Sequence, residues 1–268
     1  MKPEIFWRIP FIKGRYLSIL TNKKCYINRS RFFWLISYPR SGNTWLMNSL
    51  SDLFNCTKSE FKSTVYKGAR LQLNKYGYTI LERYDKAVDK FIIKTHYNYY
   101  QFLGDKCPVN KIVYIVRDVR DVMTSYYFYI FGFLGKERKR VEKFDHEHFR
   151  RFIEWRSEEY LIHLKSWLEF KKKNPNLICI VRYEDMYRDY IGTLMKIQKF
   201  VGWKVKNDYD VVQRRNVDYF KRHLLKGDNF SFYRKGVIGD WKNYFDKKSL
   251  MVVRKKCGSI SEKFGYSI

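Results

Sequence analysis

The chain has 268 residues, 45% hydrophobic and 19% aromatic, with 54 basic and 27 acidic residues and a formal net charge of +27. Such a composition suits a folded domain with a full core and excludes a disordered or collagen-like chain. No run of about 18 apolar residues is present to span a bilayer. Five scattered cysteines (Cys25, Cys56, Cys107, Cys179 and Cys257) form no C-x-x-C pair, against a disulfide framework or a cysteine-rich zinc site.

Residues 1–30 are basic and irregular and read as an extension packed on a domain spanning 31–268. Trp7-Arg8-Ile9-Pro10 breaks any apolar signal core, so a cytoplasmic location is expected. The excess charge points to an acidic ligand or an anionic surface met through basic patches, or to a lysine-rich compositional bias; it says nothing about fold.

Phe32–Ser37 is an apolar, β-prone run that stops at Tyr38-Pro39. Arg40-Ser41-Gly42-Asn43 follows, and then a helix from Thr44 to Phe54 with Leu46, Leu50 and Leu53 on one face. Strand, tight turn and helix N-terminus together present backbone N–H groups to a phosphate-like anion. Arg40 adds a cation, Ser41 and Thr44 add hydroxyls, and Gly42 gives room. Ser-Gly-Asn alone is a common turn, and the loop lacks the Walker glycine and lysine, which argues against a nucleoside triphosphatase or small-molecule kinase.

Residues 56–90 are mixed, with a polar, aromatic, ligand-facing connection at Phe61–Tyr78. Phe91–Lys94 is a short buried strand ending at Thr95-His96, and Lys111–Val116 is another ending at Arg117-Asp118. A helix runs from Val119 to about Ile130, its start served by Asp118 or Asp121. Phe131–Phe144 is a basic surface loop and Phe149–Lys173 a long amphipathic helix. Leu177–Val181 is a fourth strand, and Glu184-Asp185 open a helix reaching about Phe200. A helix at Val211–His223, a glycine-containing loop at Lys226–Gly239 and a closing helix at Lys247–Cys257 complete the chain.

Apolar strands alternating with helices predict a single α/β domain with a central parallel sheet flanked by helices and a phosphate-binding strand–loop–helix. Ligands in such folds gather outside the carboxyl ends of the strands, where Tyr38–Arg40, Lys94–His96, Arg117 and Tyr183 fall. A lone histidine at a strand end is more often structural, but beside an anion loop His96 is the natural base. Asp145-His146-Glu147-His148 reads as a loop entering a helix rather than a metal site. Arg214, Arg215, Lys221 and Arg222 read as a solvated face, and no basic segment matches a nucleic-acid reader, so non-specific nucleic-acid binding is the competing class.

Tyr38–Trp45 resembles the 5′-phosphosulfate loop of the cytosolic-type sulfotransferases, which use 3′-phosphoadenosine 5′-phosphosulfate (PAPS). Lys94-Thr95-His96, the Arg117-to-Ser125 stretch, Tyr183-Glu184-Asp185-Met186 and Phe232–Asn243 resemble further family motifs in family order. The resemblance implies that Arg40, Ser41, Gly42, Asn43 and Thr44 meet the phosphosulfate, and that Trp45 and Tyr183 meet adenine. It implies that Arg117, Ser125, Arg234, Lys235 and Gly236 hold the 3′-phosphate, with Phe232 beside the nucleotide. Lys94, His96 and Arg40 are the implied catalytic groups, His96 as general base, with 3′-phosphoadenosine 5′-phosphate (PAP) as product and no metal.

The chain departs from the family pattern in three places. Arg40 replaces the usual lysine, Asn98 stands where a proline is expected, and Lys242 with Asp246-Lys247 and Met251 matches the dimer motif poorly. The expected acceptor is a hydroxyl on a small polar or partly anionic molecule. A saccharide or surface glycan, or an amine or guanidino metabolite, is the alternative.

Overall fold

The computed structural model describes residues 29–60, 90–104, 107, 109–133, 144–224 and 235–268. Residues 1–28 of the basic extension, the Phe61–Tyr78 connection, most of the Phe131–Phe144 loop, and Phe232 and Arg234 lie outside the described residues.

Five strands form one parallel sheet: β1 (Phe32–Ser37), β2 (Thr57–Glu60), β3 (Phe91–Thr95), β4 (Ile112–Val116) and β5 (Ile178–Arg182), in the order β2-β3-β1-β4-β5. Both faces are covered, which explains the unbroken apolar runs. Phe32, Trp34 and Ile36 point into one core with Tyr114, Phe152 and Trp167; Phe33 and Leu35 point into the other with Leu46, Leu50 and Leu194. The predicted α/β architecture is therefore present, with Leu46, Leu50 and Leu53 of α1 (Asn43–Phe54) buried as their spacing required.

After β1 the chain crosses to the β2 edge and returns through β3; β4 and β5 then build on the other side. β1 thus lies between β3 and β4, at the point where the strand order reverses, the place where open α/β sheets take ligands outside the carboxyl ends of their strands. The register sets Ile36 beside Thr95, Ser37 beside Ile115 and Val116 beside Arg182. The residues that follow these strands therefore meet at one edge.

Other helices are α2 (Tyr99–Gly104), α3 (Val119–Phe128), α4 (His146–Lys173), α5 (Tyr183–Arg188), α6 (Tyr190–Val201), α7 (Tyr209–Leu224) and α8 (Lys247–Glu262). Three local features differ from expectation. The single helix expected from Glu184 to Phe200 is two, because Asp189 leaves helical geometry and its carboxylate accepts from Gly192 N at 2.9 Å to cap α6. The helix after β4 changes at Tyr129 into a π-helical turn, Tyr129–Phe133. Polar β2 falls in the stretch whose sequence pattern is mixed and becomes a strand by pairing with β3. No described helix is long and apolar enough to cross a membrane, and no disulfide joins the described cysteines.

Candidate active site

The loop between β1 and α1 turns through two left-handed residues, Arg40 (φ 69°) and Gly42 (φ 95°). A Cβ at Gly42 would lie 2.5 Å from Tyr183 Cδ2, so glycine is required by space as well as by backbone. Gly42 begins α1 without a side-chain cap, and Ser41 is buried with no hydrogen-bond partner for its Oγ. The first turn of α1 therefore aims N–H groups, with the Ser41 hydroxyl beside them, in the manner of an anion cradle. Asn43 ties this turn to β3, its Nδ2 donating to Thr95 O at 3.5 Å.

Cations from three elements converge there. Lys94, 6% exposed, donates to Thr44 Oγ1 at 3.4 Å. Arg117, 8% exposed, donates to Arg40 O at 3.3 Å and to Val237 O at 2.9 Å, with its guanidinium 4.1 Å from the Tyr183 ring centre. Arg40 reaches across to α3 and donates from Nε to Ser125 Oγ. Trp45 lies parallel to Tyr190 at 5.7 Å and edge-on to Tyr183.

His96 follows β3, with Nδ1 2.8 Å from Ser37 O. A carbonyl only accepts, so Nδ1 carries the proton and the ring's lone pair lies on Nε2. The turn bearing His96 rests on α4: Trp167 Nε1 donates to Tyr97 O at 3.0 Å, and Tyr99 N donates to Ser166 Oγ at 3.0 Å. His163 completes that face. Its Nδ1 lies 2.9 Å from the Tyr114 hydroxyl, and its Nε2 is buried without a hydrogen-bond partner among the described residues. Burial, reinforced by nearby His96, lowers its imidazole pKa to about 3.

In sequence Asp121 is no more than a candidate cap. Asp118 is the cap, accepting from Arg120 N at 2.8 Å. Asp121 instead accepts from Gly239 N at 2.7 Å and Trp241 N at 3.1 Å, and its carboxylate lies 3.8 Å from Arg117. Burial raises its pKa, against the opposing pull of Arg117. The i, i+4 spacing of Arg117 and Asp121 was the available signal.

Arg40, Ser41, Gly42, Asn43, Thr44, Lys94, His96, Arg117, Ser125 and Tyr183 are thus brought to one strand-end edge, with Gly236 joined through its carbonyl to the Tyr183 hydroxyl at 3.1 Å. Lys235 is turned to Asp240, 2.9 Å away, with Tyr244 beneath it. The His146–His148 segment begins α4, where Asp145 accepts from Glu147 N and His148 N. Among the described residues no three histidine, cysteine or acidic groups gather as a metal site.

These features define a parallel α/β protein with an anion cradle, buried cations and an oriented imidazole at its topological switch. The chain belongs to the sulfotransferase family: the Sulfotransferase domain model matches residues 31–265. It is 27% identical over 269 residues to Sulfotransferase 2A6 of Rattus norvegicus, covering 91% of this chain and 90% of that one. It is 24% identical over 231 residues to 3-alpha-hydroxysteroid sulfotransferase of Cavia porcellus, covering 78% and 76%. The fold matches the crystal structure of mouse sulfotransferase SULT7A1 complexed with PAP, with a TM-score of 0.65, 24% identity and 90% coverage of each chain.

Proposed function

We propose that this sulfotransferase uses PAPS as donor and a hydroxyl of a small polar or partly anionic molecule as acceptor, with His96 as general base. The observation that carries the reading is the meeting of the uncapped α1 turn, Lys94 and Arg117 beside a histidine whose tautomer leaves a basic Nε2. The orphaned Ser41 hydroxyl and the N-terminal N–H groups of α1 fit an anionic oxygen cluster. The donor, when bound, supplies an activated sulfuryl group and departs as PAP.

In this reading Ser41, Gly42, Asn43, Thr44 and Arg40 hold the phosphosulfate end. Lys94 stabilises charge on the oxygens that are transferred or released. Arg117 and Ser125 hold a 3′-phosphate, with Arg234, Lys235 and Gly236 closing over it and Phe232 alongside. Trp45 and Tyr183 border the base. His96 Nε2 takes the acceptor's hydroxyl proton as the new S–O bond forms and the S–O bond to the leaving phosphate breaks. Side-chain cations neutralise the transferred group, so the proposed reaction requires no divalent ion. Residues 31–268 form the catalytic unit, and residues 1–30 are a basic extension in a soluble, cytoplasmic protein.

The hydroxyl acceptor is favoured by the imidazole base and by the hydroxysteroid named for one relative. The test is a labelled-donor assay against phenols and alcohols, oligosaccharides, and amino or guanidino metabolites, at low and moderate salt with and without chelator. Transfer to small hydroxyl compounds, weakened by salt and indifferent to chelator, is expected. Exclusive transfer to oligosaccharides or amines would overturn the acceptor assignment, and dependence on a divalent ion would overturn the metal-free one.

A further inference from the structure

The turn that carries Arg117 is held from outside at successive backbone groups. Tyr160 donates its hydroxyl to Arg117 O at 2.5 Å. Glu184, 3% exposed, accepts from Asp118 N on Oε1 at 3.1 Å. Its second oxygen accepts the hydroxyl proton of Tyr266 at 2.6 Å, and Val116 O lies 3.3 Å from the same phenolic oxygen. A buried carboxylate is tolerable only when both oxygens are satisfied, so the Tyr266 hydroxyl is what allows Glu184 to face the Asp118 amide.

Tyr266 belongs to the segment after α8, and that segment is itself fastened to the site. The Arg182 guanidinium lies 4.3 Å from the Tyr266 ring centre. Arg120, paired with both Asp118 carboxylate oxygens and lying 4.2 Å from the Trp241 ring centre, donates to Ser267 O at 2.9 Å. Arg254 Nε donates to Ile268 O at 2.9 Å. These bonds join Tyr266 and Ser267 to the start of α3, while Ile268 is tied back to α8.

We infer that Tyr266 is a positioning residue for the donor site: through Glu184 it fixes the Val116–Asp118 turn and so the direction in which Arg117 is presented. The inference rests on the proposed role of Arg117 toward a 3′-phosphate. It assigns Tyr266 no contact with donor or acceptor.

The experiment compares PAP with adenosine 5′-phosphate, which lacks the 3′-phosphate, by calorimetry on full-length wild-type and Tyr266→Phe protein. Amide hydrogen exchange is followed at Asp118. Phenylalanine keeps the ring beside Arg182 and removes only the hydroxyl. The preference of Tyr266→Phe for PAP should fall roughly 3–10-fold while adenosine 5′-phosphate binds as before, and the Asp118 amide should lose protection. An unchanged preference and unchanged protection, even with a lowered melting temperature, would make Tyr266 a packing residue and overturn the inference. A wild-type protein without preference for PAP would overturn the donor reading, and this inference with it. Should Tyr266→Phe not fold, Glu184→Gln interrupts the same bonds at their centre and is read by the same two outcomes.

Discussion

Arg40 Nε donates to Ser125 Oγ at 3.1 Å, and the same guanidinium lies 4.7 Å from the centre of the Tyr129 ring. Ser125 in the last turn of α3 and Tyr129 at the start of the π-helical turn are four residues apart and together hold the side chain that the anion loop contributes. Arginine suits this arrangement because its planar fork hydrogen-bonds and stacks at once. Ser125→Ala is expected to weaken PAP binding by roughly 1.5–3 kcal/mol, and Arg40→Ala to lower turnover by about 10²–10³-fold. Wild-type affinity in the first variant and wild-type turnover in the second would remove this pair from the site.

His96→Ala is expected to lower turnover by about 10²–10⁴-fold with PAP affinity retained. The measurement is single-turnover transfer at saturating donor. A variant as fast as wild type, with chemistry limiting, would exclude His96 as the base.

Gly42→Ala places a methyl group against Tyr183 and forces an L-residue to adopt φ near +95°. The backbone alone costs about 1–2 kcal/mol, and Tyr183 must also move from beneath Arg117. Both stability and PAP affinity should fall, read by urea denaturation and calorimetry. Retention of both would show that the loop has another accessible conformation.

His163 makes a prediction about acid. Its folded pKa of about 3 lies below the usual value near 6.5. Between these two values the unfolded chain binds a proton that the folded chain refuses. Stability is therefore fully present above pH 6.5 and lost as the pH falls toward 3, at most about 1.4 kcal/mol per pH unit. His163→Asn should lose less stability than wild type between pH 7 and pH 5. Equal losses in the two proteins would assign the acid sensitivity to other groups.

The strand-end convergence was legible because burial on both sheet faces writes itself as apolar runs, and the polar residues interrupting them mark the site edge. β2 was not legible: Thr57-Lys58-Ser59-Glu60 has no strand pattern of its own and takes its conformation from β3. Asp189 breaks a helix through a local carboxylate bond that helical periodicity conceals. The tautomer of His96 depends on the carbonyl of Ser37, fifty-nine positions away, and backbone acceptors leave no mark in sequence. Tyr266 is equally silent, since its partner Glu184 lies eighty-two positions earlier.

Lys94 and Arg117 are both more than nine-tenths buried, with the Asp121 carboxylate 3.8 Å from Arg117, and cations so enclosed gain from a further anion brought against them. With the proposed donor, such an anion binds the folded chain and not the unfolded one. At a hundredfold excess over its dissociation constant it adds about 2.7 kcal/mol of stability. The heat resistance of the purified protein thus becomes a gauge of free nucleotide.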